Sequence, residues 1–276
     1  MLRSLEAQRA ATIFSSPRPL TELRLRPRTV SELVDAAIAL YKRDAALYIL
    51  AAAIGYTPYL ILELFFLRPD SLSNPFAGGL VTIVLSLASL VTTSFMSAVV
   101  VKLGSQAYLG NAPDLATTVA EVAPRVPALV VAAILKAALI IIGAMFLLVG
   151  ALYVVARYFA VASVVVLEDK GPLSAFGRSS ELSVGRKGHL LKALLLVFLI
   201  YFVLSLGVTA FASLAHSTVV TRVATAAWTI VGWPLVGLTE MVLYYDARIR
   251  GEGFDLEHLA ASLDAGTAAR PAGGVS

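Results

Sequence analysis

From Val126 to Leu167 the chain runs apolar for 42 residues, with Lys136 and Arg157 its only charged groups. As a single helix that stretch would measure about 63 Å, roughly twice the 30 Å thickness of bilayer hydrocarbon. It therefore reads as a hairpin of two membrane spans, with Gly143 and Gly150 near the turn. Charge-free runs at 45–62, 71–101, 193–221 and 223–239 give four more spans, approximately 45–67, 78–101, 193–215 and 223–245. Composition agrees: 58% of the chain is hydrophobic and 14% charged, and the mean hydropathy is +0.83. Those values exclude both an ordinary soluble enzyme and a disordered chain. Hydrocarbon admits only helices and closed barrels, and runs of this length select helices. The expected fold is all-α, a polytopic membrane bundle of six transmembrane helices with short interfacial amphipathic helices.

Loop charge gives an independent test of the span count, because cytoplasmic loops are enriched in Lys and Arg. Of 22 basic residues, 18 fall before span one, between spans two and three, between four and five, or after span six; the opposite loops hold Arg68 and Arg222. This asymmetry favours a cell inner-membrane protein with both termini cytoplasmic. It also accounts for the net charge of +4 without nucleic acid, since no aromatics interleave the basic residues as a stacking surface. Residues 1–28, Arg-rich and without the apolar core of a secretory signal, read as a flexible basic arm. The membrane domain covers 29–263, and the Ala/Gly-rich stretch 264–276 is expected to be disordered.

Between Thr29 and Tyr41, Val30, Leu33, Val34, Ala37, Ile38 and Tyr41 follow one helix face. Thr29 and Glu32 stand at capping-box spacing, and the helix is suited to lying in the membrane interface. Similar segments at Pro113–Ala123 and Pro172–Val184 precede spans three and five. Two readings remain: three modules, each an interfacial helix followed by a hairpin, or simply the connectors that any helical-hairpin protein needs. Tyr48, Trp228, Tyr244 and Tyr245 fall near span ends as interface anchors.

Three segments, "LRPRTVSELVDAAIALYKR", "VLEDKGPLSAFGRSSELSVGRKG" and "LYYDARIRGEGFDLEHL", resemble the bacterial glycerophosphoryl diester phosphodiesterase membrane-domain family and related integral membrane proteins. The resemblance covers about residues 24–259. It implies a membrane module in lipid or envelope physiology, assisting a partner, and not an enzyme: the family's name comes from members fused to a soluble phosphodiesterase, and this chain has no segment long enough for that domain.

Charged residues at bilayer depth cost roughly 2.5–3.5 kcal/mol each, which makes them functional candidates. Lys136 and Arg157 fall near the middle of spans three and four, Glu63 toward the outer end of span one, and Glu240 toward the inner end of span six. They form either pairs that lock helices together or a polar cavity for an anionic headgroup or a proton, with Arg157 as the anion contact. Thr82, Ser86, Ser89, Thr93 and Ser97 make a hydroxyl stripe on span two, read chiefly as close helix packing. Pro58 and Pro234 interrupt spans one and six: broken helices line binding sites in transporters, and proline is also tolerated generally in membrane helices. Arg178, Arg186 and Lys187 are candidate contacts for anionic lipids. With no Cys and scattered His, no metal site, cofactor or catalytic constellation is expected. The function expected is a non-catalytic membrane module, the alternative a small transporter or lipid-translocating protein; membrane lipids and a protein are the expected partners. The even span count has a direct check: reporters fused at Ser15 and Ser179 are expected on the same side of the membrane, and opposite sides would overturn the topology.

Overall fold

The structure, a computed structural model, describes residues 27–66 and 75–254. The arm over residues 1–26 and the tail over 264–276 lie outside these. Among the described residues there is no strand, and six helical stretches are long and apolar enough to cross a membrane. The described residues form ten α-helices in order: α1 (Val30–Arg43), α2 (Ala45–Phe66), α3 (Pro75–Tyr108), α4 (Leu115–Val122), α5 (Val126–Met145), α6 (Leu147–Arg157), α7 (Val161–Leu167), α8 (Pro172–Leu182), α9 (Lys187–Ser213) and α10 (Thr218–Glu252). The first, third and fifth spans each follow a short amphipathic helix, α1, α4 and α8 respectively.

Local chemistry sets these boundaries. Thr29 and Glu32 form the capping box that starts α1. Asp114 accepts from the Thr117 amide to start α4, and Ser217 from the Val220 amide to start α10. Gly253, at φ 66°, ends α10 in the left-handed conformation that glycine adopts without steric cost. At the α5–α6 turn, Gly143 and Gly150 bring two backbones together: a Cβ on Gly150 would sit 2.2 Å from the Gly143 carbonyl oxygen.

Helices α2–α3, α5–α6 and α9–α10 pair as hairpins, and α10 packs against α1, α2, α3, α8 and α9. Gly104 and Gly237 let α3 and α10 approach closely, Gly104 beneath Leu238 and Met241, Gly237 beneath Val100. Much of α9 turns apolar side chains outward, Phe198 and Leu199 among them, the side expected to meet lipid.

Several expectations need correction. The apolar face of α1 is buried in protein, not membrane: Leu33, Ala37 and Leu40 are fully covered where α1 packs on α10 and α9. Arg28, assigned to the flexible arm, is buried as well. Tyr48, Tyr244 and Tyr245 lie in the core rather than at an interface, and Trp228 stacks on Tyr201. Thr82 and Ser86 are exposed and donate to carbonyls of their own helix, those of Gly78 and Thr82, so they do not mediate helix packing.

Helices α2 and α10 continue through Pro58 and Pro234. The broken span is the fourth, between α6 and α7, where the sequence has neither proline nor glycine. A buried hydroxyl occupies the gap: Ser179 of α8 donates to the Arg157 carbonyl at 3.3 Å and accepts from the Ala160 amide at 3.1 Å. An inserted side chain of this kind replaces the missing helical bonds. Ser179→Ala strands one buried amide and one carbonyl, so the variant is expected to lose about 1–3 kcal/mol of stability. Thermal unfolding in detergent measures the loss; an unchanged midpoint would show that the break does not depend on Ser179.

Candidate functional site

A cavity of about 210 Å³ opens between α3, α5, α7 and α10, lined by Lys136, Glu240, Thr93, Ser94, Ser97 and Trp233 among others. Each wall has an identifiable cause. The break after Arg157 turns α7 so that Ser163 meets Glu240: Oε1 accepts from the Ser163 hydroxyl at 3.1 Å and from its amide at 3.3 Å. Trp233 donates its indole N–H to Ser97 at 2.8 Å, fixing the lower end of the α3 hydroxyl stripe against α10. Thr93 and Ser97 are thus the stripe members that reach the site. Lys136 enters from α5 and lines the same cavity as Glu240, yet no direct ion pair joins the two, and Glu240 Oε1 is taken by Ser163.

The other two members of the expected intramembrane set lie elsewhere. Glu63 pairs with Arg222, tying α2 to α10; the sequence had placed Arg222 in a loop, whereas it lies one turn inside α10. Arg157 donates Nε to Ser180 at 3.1 Å and Nη1 to the Tyr153 hydroxyl at 3.0 Å. It therefore faces α8 and does not line the cavity, which corrects the expectation of one four-residue site.

A second polar assembly collects at the C-terminal end of α10. Arg178 donates Nε to both oxygens of Glu168 at 3.0 Å and pairs with Glu252 at 2.5 Å. Glu168 also accepts from the Tyr244 hydroxyl at 3.0 Å and pairs with Lys170 at 3.1 Å. Alongside, buried Asp246 accepts from the Arg28 amide and from Arg250 Nε, both at 2.8 Å, with His189 Nε2 at 3.6 Å. Arg250 returns a bond to the Arg28 carbonyl, and the Tyr245 hydroxyl meets Ser105 at 2.7 Å. Arg178, expected to touch lipid, is instead engaged by carboxylates. Arg186 folds back on the Leu182 carbonyl; Lys187 lies over the Tyr153 ring.

This network was not foreseen. The available signal was the alternation of aromatic, acidic and basic residues in "YYDARIRGE", which was read as interface anchors and loop charge. Among the described residues no cluster of three or more His, Asp or Glu could hold a metal ion. Compared with protein-family models, curated proteins and solved structures, the chain matches none.

Burial opposes the charge on Glu168, but the bonds from Arg178, Lys170 and Tyr244 outweigh it and hold the carboxyl below its usual value; the bond to Glu252 raises Arg178 further above its own. A lowered carboxyl stabilises the fold above its unfolded pKa, about 4.3, and that stabilisation disappears as pH falls through the folded value. Melting temperature is expected to fall in acid for the wild type and to fall less for Glu168→Gln, which starts lower at neutral pH by about 1–3 kcal/mol. Parallel acid profiles for the two would remove Glu168 from this role.

Proposed function

We propose that this membrane bundle holds a small polar or charged solute, or a lipid headgroup in passage, in the cavity around Lys136 and Glu240, as a small transporter or lipid-translocating protein. One observation carries the reading: a lysine and a glutamate line one cavity without closing into a direct pair, the glutamate being bonded to Ser163 instead. In a low-dielectric interior, a pair that serves only to lock helices gains most by direct contact. Polar heads kept apart leave bonding capacity unfilled, and the cavity that both line has room for about seven waters at 30 Å³ each or one small solute. The broken fourth span is consistent with this reading, because interrupted helices line binding sites in many carriers.

A second reading has its own observation. The segments that resemble the phosphodiesterase membrane-domain family supply Arg28, Glu168, Arg178, Asp246 and Glu252, which form two ionic clusters side by side at one end of the bundle. A rigid polar face of this kind suits a non-catalytic module that assists a partner in lipid or envelope physiology. The loop charge count supports a cytoplasmic position for that face, in an inner-membrane protein with both termini cytoplasmic.

Reconstituted liposomes separate the two. The carrier reading expects flux of a small charged solute or scrambling of a labelled phospholipid, reduced roughly tenfold or more by Lys136→Gln and by Glu240→Gln, the loss of one charged bond of about 1.5 kcal/mol or more. Lys42→Gln, outside the cavity, is expected to retain the activity. Absence of all flux from folded wild-type protein, or equal flux in the cavity variants, would overturn the carrier reading.

A further inference from the structure

We propose that Arg157 and Lys187 together bind the phosphate of an anionic phospholipid headgroup, at a site separate from the cavity. The two come from sequence-distant positions, the end of α6 and the first turn of α9, and converge on one ring. The Lys187 ammonium lies 5.3 Å from the Tyr153 centroid and the Arg157 guanidinium 5.9 Å from it, with Tyr158 at 5.5 Å on the other contact of Arg157.

Among the described residues no carboxylate pairs with either cation. That sets them apart from Arg178, Arg222, Arg248 and Arg250, each of which meets an acid. Two like charges gathered around one ring repel each other, and a shared anion relieves the repulsion. Arg157 is held by Ser180 and Tyr153 through Nε and Nη1, so its remaining guanidinium amine is positioned without loss of side-chain freedom on binding. A planar guanidinium beside an ammonium matches the oxygens of a phosphate.

Location selects a lipid over a free ion. Helix α9 spans 27 residues, about 40 Å, which exceeds the hydrocarbon thickness of about 30 Å. Its basic residues, Lys187 and Lys192, both stand in the first six positions and the remainder carries no charge, so the excess falls at that end and Lys187 lies at headgroup level. Above them, Leu148, Val149 and Tyr153 on α6 and Leu195 and Phe198 on α9 are exposed, an apolar surface beside which acyl chains can lie. One cation at a membrane surface strengthens binding of an anionic lipid about fivefold, and two about thirtyfold.

The test uses the full chain purified in detergent, with native mass spectrometry against phosphatidylglycerol and phosphatidylcholine. Wild-type protein is expected to retain phosphatidylglycerol over phosphatidylcholine by more than tenfold. The preference falls about fivefold in Lys187→Gln and disappears in the Arg157→Gln, Lys187→Gln double variant, while Lys42→Gln on α1 keeps it. Lys187→Gln removes no hydrogen bond, so it reports on the site even where Arg157→Gln fails to fold. A preference unchanged in Lys187→Gln, or no preference in the wild type, overturns the proposal. Displacement of phosphatidylglycerol by millimolar inorganic phosphate would overturn the lipid assignment, leaving a phosphate site.

Discussion

Hydrocarbon offers no hydrogen bonds, so every polar group that enters this bundle has to be satisfied by another part of the chain. The structure supplies such partners at three depths, though the Tyr48 hydroxyl and the Trp228 indole nitrogen are buried without one. Toward one end, Glu63 is matched by Arg222. Near the middle, Glu240 takes both donors of Ser163, and the amide and carbonyl released by the break in span four go to Ser179. At the other end, three carboxylates, Glu168, Asp246 and Glu252, bind Arg178, Arg250 and the Arg28 amide. Helix α10 contributes to the first, second and third of these, which is why it packs against so many neighbours.

What the sequence revealed follows from signals strong enough to survive without tertiary context. Five apolar runs, one of them long enough for two crossings, pointed to six spans, and Thr29 with Glu32 to the start of α1, because a capping box is a contact over three residues. Gly143 and Gly150 gave the α5–α6 turn because only a missing Cβ permits that backbone approach. The pairing of side chains was not legible, since partners such as Glu63 and Arg222, 159 positions apart, are set by which helices become neighbours. Periodicity located the apolar face of α1 but not what covers it; a face buried on α10 and a face buried in lipid have the same residues.

The break in span four shows a different limit. Pro58 and Pro234 carry the familiar signal for a broken helix, yet α2 and α10 pass through them, because neighbouring groups in a membrane bundle make proline tolerable. The actual break has no local signal at all. Its cause is Ser179, on a helix that sequence analysis had placed at the surface.

The cavity and the ionic network are mechanically one object. Helix α7 is held to α10 at both of its ends, by Ser163 to Glu240 at the first turn and by Glu168 to Tyr244 just past the last. Glu240 and Tyr244 are one turn apart on α10, so α7 lies clamped across a short stretch of that helix. Arg178 then ties Glu168 to Glu252, anchoring the same corner to the end of α10. A rotation of α7 that opened the cavity would have to release at least one of these bonds, and the charge-assisted set around Glu168 is the stronger. The cavity wall can therefore yield at Ser163 while Glu168 stays fixed, which makes the Ser163–Glu240 contact the point where an occupant would compete with the protein's own bonds.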